Sequence, residues 1–329
     1  MLLGGGLADR YGAKRMVTLG LVVTLAGNVA FAGAPSYPGL LAAKAIGGLG
    51  SGVSFLAGVR YIASLYQSAR SHTAQGLYGA GYPLGSAIGV WSMAPIAAAY
   101  GWRAAIAASS IFIAIVLAAW LAAPTVSRMP ATGWLLDALR CANCWLTSLQ
   151  HAAGFGLGLA AGTWITVYLL REFALPLDVS GALGSLLLVV AVFARPLGGY
   201  VVAREIVATK TMMRAAQLSI LGGLALLGAP GRPLLVALAG ALLVGLGVGL
   251  PYAAVFNTAG ASLPSAAGAS QGLTAVGGTA GALLLAPLIG LALERAGFVA
   301  AWALLALVSV AALSATFVLR GEEELVRGG

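Results

Sequence analysis

The sequence is poor in charge, and this shortage excludes most soluble proteins. Only 8% of its 329 residues are Asp, Glu, Lys or Arg, whereas a soluble domain carries about 25% of them to cover its surface. Two cysteines exclude a disulfide-stapled scaffold, and the lack of acidic or polar low-complexity tracts excludes a mainly disordered chain. Hydrophobic residues make up 60% of the chain, and the mean hydropathy is +0.97. This composition predicts a polytopic membrane protein.

Long uncharged runs set the number of expected membrane spans. A helix needs about 20 apolar residues to cross a hydrocarbon layer of roughly 30 Å. The stretch from Pro233 to Leu293 has no charged residue and is long enough for two crossings, joined at a turn near Pro264. The runs are continuously apolar and do not alternate, so helices are expected and strands are not. The expected fold class is all-α, with ten spans near 16–33, 39–66, 73–99, 103–123, 145–170, 179–202, 211–228, 233–259, 267–293 and 297–319.

Basic residues are distributed unevenly between the two ends of these spans. The connections on one side contain Arg103, Arg171, Arg232 and Arg295. Those on the other side contain Arg10, Lys14, Arg15, Arg70, Arg128, Arg140, Arg195, Arg204, Lys210, Arg214, Arg320 and Arg327. Cytoplasmic loops are enriched in Lys and Arg, so we expect a multi-pass protein of the cell membrane with both termini in the cytoplasm. The net charge of +9 is then an orientation signal and does not indicate nucleic-acid binding.

A motif of small and charged residues stands before the first expected span, Gly5-Gly6-Leu7-Ala8-Asp9-Arg10-Tyr11-Gly12-Ala13-Lys14-Arg15. It resembles the G-x-L-A-D-R-x-G-R/K-R/K signature of the major facilitator superfamily, which lies in the cytoplasmic loop between transmembrane helices 2 and 3. The resemblance implies a two-bundle transporter whose cytoplasmic gate includes Gly5, Asp9, Arg10, Gly12, Lys14 and Arg15. Glycines permit tight turns and close helix approach, and a carboxylate such as that of Asp9 can meet a helix N-terminus or an arginine.

A weaker copy of the motif follows at a constant offset of 194 residues, from Leu3 to Leu197. Parallel repeats of this kind are typical of such transporters. The copy resembles the R-P-x-G-G form of the superfamily's second half, which adds Arg195, Gly198 and Gly199 to the expected gate. Ala203 stands where the first copy has Asp9, so the second copy lacks that charge.

The resemblance also implies a domain organisation. If the motif follows helix 2 of the family, the ten spans correspond to helices 3–12, about 10 of 12. We therefore expect the first two transmembrane helices to be missing, through a misplaced start codon or a truncated gene. The expected domains are an incomplete N-terminal half-bundle at 1–123, a cytoplasmic linker at 124–144 that contains Arg128 and Pro130, and a C-terminal half-bundle at 145–329.

Polar residues in three spans form the expected substrate pathway. In this family helices 1, 4, 7 and 10 line the cavity, which implies the spans at 39–66, 145–170 and 233–259. Polar groups are costly inside a membrane, so each one either faces the pathway or bonds a neighbouring helix. The two cations near the helix ends can instead snorkel to the surface. The expected pathway residues are Lys44, Arg60, Gln150, His151, Trp164, Tyr252 and Asn257.

The charges inside the expected spans indicate the type of solute and the residues available for proton coupling. No Asp or Glu lies in an expected span, and intramembrane carboxylates are the usual proton relay. Coupling to a proton would therefore depend on His151 or on absent helices, and cations without carboxylates favour an anionic solute. The resemblance implies a monomeric secondary transporter that moves a small solute by alternating access, with a proton or another coupling ion. A multidrug or metabolite efflux antiporter of the same superfamily, or a non-transporting membrane receptor or relic, remains an alternative.

The remaining features have structural explanations. An enzyme is not expected, because no cluster of His, Asp and Glu stands at a membrane interface. Cys141 and Cys144 have CxxC spacing but lack further zinc ligands, so no metal or cofactor is expected. The acidic run Glu322-Glu323-Glu324 is expected to be a solvated tail. Glycine pairs with small-xxx-small spacing predict close helix contacts, at Gly48/Gly52, Gly81/Gly85/Gly89, Gly158/Gly162, Gly245/Gly249 and Gly277/Gly281.

Overall fold

A computed structural model describes residues 2–66, 69–126 and 132–327, so Arg128 and Pro130 of the expected linker lie outside the described residues. Within these ranges the chain forms helices and no strands, which confirms the all-α prediction. The helices are α1 (Leu2–Tyr11), α2 (Ala13–Gly33), α3 (Tyr37–Leu65), α4 (Ala69–Tyr100), α5 (Trp102–Leu121), α6 (Leu135–Arg140), α7 (Ala142–His151), α8 (Leu157–Glu172), α9 (Leu177–Ala203), α10 (Thr209–Gly228), α11 (Leu234–Gly249), α12 (Tyr252–Ser262), α13 (Ala267–Ala315) and α14 (Glu322–Arg327).

Each of the ten expected spans falls on a helical segment. In the described part of the chain, eight segments are long and apolar enough to cross a membrane. One of them, Pro264–Ala315, contains two expected spans, because Gly297 has a φ of 77° that interrupts the helix between them. A positive φ of this size suits glycine, which has no Cβ to clash. α4 has 32 residues and carries the remaining expected span.

Three segments differ from the sequence-based expectation. The motif around Asp9 is not a loop: it forms the end of α1, and the chain turns only at Gly12, which has a φ of 94°. The short helix α6 lies in the expected linker, and α14 lies in the expected tail. Acidic residues fill the first turn of α14, where carboxylates interact favourably with the helix dipole.

The chain forms two compact units that interleave along the sequence. The first comprises Met1–Gln67, Leu84–Ala138 and Pro264–Gly272, and the second comprises Ser68–Pro83, Leu139–Leu263 and Leu273–Gly329. Each unit therefore includes a short segment from the other half of the sequence.

Close packing of α2 against α3 organises the first unit. A Cβ at Gly20 would lie 2.6 Å from the backbone nitrogen of Ser54, so the two helices touch through their backbones. Near the motif, the Tyr61 ring meets the Trp120 ring edge-on, with centroids 4.7 Å apart. Buried apolar side chains complete this core, namely Ala8, Ala13, Met16, Val17 and Ala57.

An aromatic cluster and a polar network lie inside the second unit. The buried rings of Tyr168, Phe298 and Trp302 contact one another, with Tyr168 centred 5.1 Å from Phe298 and 5.3 Å from Trp302. Elsewhere in this unit, Gln217 donates to Gln150 at 3.2 Å and accepts from the Ser309 hydroxyl at 2.8 Å. Both groups of side chains join helices that are distant in sequence.

Some of the expected glycine pairs make close helix contacts and others do not. A Cβ at Gly245 would overlap the Leu187 backbone. Comparable contacts enclose Gly158, Gly249, Gly277 and Gly281. No described atom lies within 4 Å of the Cβ position at Gly48, Gly81, Gly85 or Gly89. At these four glycines, which lie on exposed or half-buried helix faces, the described residues therefore provide no close contact.

The C-terminal helix α14 is bound to the start of α10. Glu323 accepts hydrogen bonds from the Thr209 backbone N–H at 2.8 Å and from its hydroxyl at 2.7 Å. Glu324 forms an ion pair with Lys210 at 3.3 Å. Burial acts to raise the pKa of the Glu323 carboxyl, but the bonds from Thr209 outweigh it and lower the pKa below its ordinary value. The acidic run is therefore partly exposed, as expected, but it forms a short helix whose carboxylates have partners on α10.

Substitutions at two adjacent glycines of α10 test the packing of α10 against α11. A Cβ at Gly223 would lie 2.5 Å from the Gly240 carbonyl oxygen, whereas no described atom lies within 4 Å at Gly222. We expect Gly223→Ala to lower the free energy of unfolding by about 1–3 kcal/mol through overpacking. Gly222→Ala should leave it unchanged or raise it by up to about 1 kcal/mol through helix propensity. Reversible unfolding in mixed micelles measures both, and equal effects would contradict the close approach of α10 and α11.

The lowered pKa of Glu323 predicts an acid-sensitive attachment of α14. A carboxyl with a depressed folded-state pKa contributes stability above its unfolded-state pKa, and that stability is lost as pH falls through the folded-state value. Thr209→Val removes the hydroxyl donor, so the loss should begin at a higher pH than in the wild type. Limited proteolysis after Leu319, followed from about pH 7 to pH 4, reports the release. Glu324→Gln serves as control, because its side chain is half exposed, and an identical midpoint in Thr209→Val would contradict the assignment.

Candidate functional site

The first motif copy contains a buried ion pair. Arg60 Nε on α3 lies 2.7 Å from Asp9 Oδ1 on α1, and both side chains are less than one-tenth exposed. The second carboxylate oxygen of Asp9 accepts the backbone N–H of Gly268 at 2.8 Å, in the first turn of α13. Asp9 therefore meets both an arginine and a helix N-terminus, the two kinds of partner that stabilise a buried carboxylate.

The other residues of the first copy shape its surroundings. A Cβ at Gly5 would overlap the Gly268 carbonyl group, so only glycine permits this close approach. Lys14 Nζ donates to the carbonyl oxygens of Leu121 and Ala123 at the end of α5, where a cation complements the helix dipole. Arg10 and Arg15 are exposed, and the Arg10 guanidinium lies 5.7 Å from the Trp134 ring.

The second motif copy makes comparable backbone contacts in the second unit. A Cβ at Gly198 would overlap the Leu250 carbonyl group, and one at Gly199 would overlap that of His72. Arg195 is 3% exposed, donates to the Gly79 carbonyl oxygen, and lies 4.8 Å from the centre of the Tyr252 ring. Its guanidinium is thus buried against an aromatic face, and in the described chain no carboxylate forms an ion pair with it.

Two helices are interrupted next to expected pathway residues. A π-helical turn, Ala152–Gly156, follows His151 and separates α7 from α8. Leu250 and Pro251 separate α11 from α12 immediately before Tyr252. π-bulges and broken helices free backbone groups inside a membrane, and they occur often at functional sites.

Aromatic side chains surround His151 beside these breaks. Its ring stacks on Phe155, with centroids 5.4 Å apart, and meets the edge of Phe256 at 4.9 Å. The centroid of the Tyr252 ring lies 6.3 Å from that of His151 and 4.9 Å from that of Phe256. Two polar atoms next to these rings have no hydrogen-bond partner among the described residues. They are Tyr252 Oη and Arg195 Nε.

The structure thus brings the expected pathway residues His151 and Tyr252 together with Arg195, which was expected in the gate motif, and places the other pathway candidates elsewhere. Gln150 donates to the Ala312 carbonyl oxygen at 2.5 Å, and Trp164 donates to that of Ala286 at 2.8 Å, so both join helices. Arg60 belongs with Asp9 in the gate motif. Lys44 is exposed on α3, 5.7 Å from the Phe31 ring.

One cluster was missed by reasoning from the sequence. Asn257 Nδ2 lies 3.0 Å from His72 Nδ1, and His72 Nε2 lies 3.0 Å from Glu322 Oε2. Since the chain has only two histidines, the rarity of His72 was a usable signal. Asn257 and Glu322 were noted in the sequence as an intramembrane polar residue and part of an acidic run, but their contact with His72 had no signal because they are far from it in sequence.

The described residues offer little for a metal. They contain no group of three or more His, Cys, Asp or Glu side chains placed to hold an ion. Cys141 and Cys144 are free thiols, and Cys144 is fully buried.

Comparison with known proteins identifies the family. The sequence profile of the Major Facilitator Superfamily matches residues 1–282. This match covers most of the chain, and the chain therefore belongs to the Major Facilitator Superfamily of membrane transporters, as its motifs predicted.

Individual relatives agree with this assignment. A probable nitrate/nitrite antiporter, NarK1, of Thermus thermophilus is 28% identical, over 88% of this chain and 73% of its own length. A probable nitrate transporter, NarT, of Staphylococcus haemolyticus is 25% identical, over 84% of this chain and 72% of its own. The crystal structure of the E.coli fucose:proton symporter FucP has a TM-score of 0.81 at 14% identity, covering 97% of this chain and 87% of that one, and so shares the fold.

The Asp9–Arg60 pair predicts strong energetic coupling. Asp9→Asn leaves a buried guanidinium without its counter-charge, which should lower the free energy of unfolding by about 3–5 kcal/mol. The double variant Asp9→Asn/Arg60→Gln should lose less unfolding free energy than the two single variants lose together, because neither charge of the pair remains. Unfolding in mixed micelles measures the cycle, with the exposed Arg15→Gln as a neutral control. Additive effects would show that the pair is not coupled.

Proposed function

We propose that this protein is a secondary transporter that moves a small planar oxyanion of the nitrate or nitrite class by alternating access. The proposal rests on the buried guanidinium of Arg195, which faces an aromatic group beside two broken helices. The similarity to NarK1, a probable nitrate/nitrite antiporter, and to NarT, a probable nitrate transporter, supports the same solute class.

Arg195 has the chemistry required to bind an oxyanion. A cation buried in a membrane bundle is costly unless a counter-charge accompanies it, so its position favours a role on the transport path. One terminal nitrogen is used by the Gly79 carbonyl, whereas Nε has no partner among the described residues. A guanidinium can donate two parallel hydrogen bonds to an oxyanion and thereby select planar, multi-oxygen solutes.

The surrounding side chains fit the same solute. Tyr252 Oη has no partner among the described residues, so its hydroxyl is a further donor for an oxygen atom. The rings of Phe155 and Phe256 beside His151 are apolar with partially positive edges, which suit a weakly hydrated planar anion better than a strongly hydrated one. The proposal assigns a coupling proton, where the transporter uses one, to His151 of this cluster.

The other parts of the sequence-based interpretation belong to this proposal. Asp9, Arg60 and the residues around them would form a cytoplasmic gate, which requires both termini in the cytoplasm as the positive-inside rule predicts. Lys44 would contribute positive charge along the path. The transporter would act as a monomer in the lipid bilayer.

Charge-removing variants test the solute site. Arg195→Gln should reduce nitrate flux into proteoliposomes by at least about tenfold, since hydrogen bonds to charged groups are worth about 1.5–3 kcal/mol. Arg195→Lys should restore only part of the flux, because an ammonium lacks the planar donor pair. Arg204→Gln is the matched control, since Arg204 lies on the same motif copy but is exposed against Tyr200.

Three results would contradict the proposal. Nitrate flux in Arg195→Gln equal to wild type would remove Arg195 from the site. Flux of organic cations or drugs without nitrate flux would favour a multidrug efflux antiporter. Nitrate-dependent thermal stabilisation without any flux would favour a receptor.

A further inference from the structure

The two motif copies meet equivalent partners, although only one carries the acidic residue. Gly5 of the first copy contacts Gly268 in the first turn of α13, and Gly199, at the same repeat position, contacts His72 in the first turns of α4. In the first copy Asp9 then binds this helix start and a residue of α3. In the second copy Ala203 occupies the position of Asp9 and provides no such bond.

A carboxylate from another part of the chain lies where the second copy lacks one. Glu322 Oε2 of α14 lies 3.0 Å from Nε2 of His72 on α4, and His72 Nδ1 lies 3.0 Å from Asn257 Nδ2 of α12. Ala203, His72 and Glu322 line one cavity of about 630 Å³. The Glu322 carboxylate therefore lies at the same cavity as Ala203, the residue at the repeat position of Asp9.

The C-terminal segment is held firmly enough to position this carboxylate. Asn143 accepts the backbone N–H of Arg320 at 2.9 Å and donates to its carbonyl oxygen at 3.0 Å. Thr209 donates to Glu323 and accepts the backbone N–H of Glu322 at 3.1 Å. These bonds fix α14 on both sides of Glu322.

We infer that Glu322 supplies the missing acidic residue of the second motif copy, which makes α14 a positioning element of a second gate that holds the start of α4 against the end of α9. The gating role in this inference rests on the proposed transport function. Its structural content, a contact between α14 and the start of α4 beside the close approach of Gly199 to His72, stands on the second unit alone.

Moving the carboxylate back to its repeat position tests the inference. Glu322→Gln should accelerate amide hydrogen exchange about tenfold at residues 69–76 and 197–204, measured in detergent without solute. Ala203→Asp introduced into Glu322→Gln should return exchange to within about twofold of wild type, because the cavity beside Ala203 has room for the longer side chain. Glu324→Gln is the matched control on the same helix turn, and it should leave these segments unchanged.

A merely structural role would not give this pattern of rescue. If Glu322→Gln exchanges like wild type, or if Ala203→Asp fails to rescue it while the fold is intact by circular dichroism, the inference is overturned. Arg195→Gln should reduce nitrate flux by at least about tenfold, whereas the exchange assay on the Glu322 variants is run in detergent without solute and does not depend on that flux. A wild-type protein without nitrate flux would thus refute the proposed function, whereas the exchange results would still decide the role of Glu322.

Discussion

Compensation of buried charge is the constraint on which the rest of this structure depends. A charged side chain in a helical membrane bundle is stable only with an opposite charge or suitably placed dipoles. Asp9 has both, since it pairs with Arg60 and accepts the backbone N–H of Gly268. The helix start at Gly268 must come close for this to happen, and the absence of a side chain at Gly5 allows it.

Arg195 is a buried charge that has no ion-pair partner among the described residues. Its guanidinium is buried, but its contacts are a carbonyl oxygen and an aromatic face. Such a residue retains an attraction for anions, whereas Arg60 is neutralised by Asp9. In the proposed mechanism Arg60 serves the closing of helices, and Arg195 serves the binding of a solute.

The repeat also shows how a fold can keep an interaction while changing its source. Both copies retain the glycines that let backbones approach, because no other residue fits there. The carboxylate is less constrained, since any segment that reaches the same space can carry it. In the second unit we infer that this segment is α14, a short helix held by Asn143 and Thr209.

The sequence by itself determined the helices and the family of this protein. Apolar length fixes a span, because a helix satisfies its own backbone in lipid, and the motif around Asp9 is a contiguous pattern that identifies the superfamily. Only the tertiary structure decided which polar residues meet. Asp9 and Arg60, Arg195 and Gly79, and His72 and Glu322 are pairs separated by long stretches of chain, and no local pattern encodes them. For the same reason Gln150 and Trp164 could not be recognised as helix-joining residues until the helices were packed, because helical packing, and not sequence spacing, decides what a buried polar group faces.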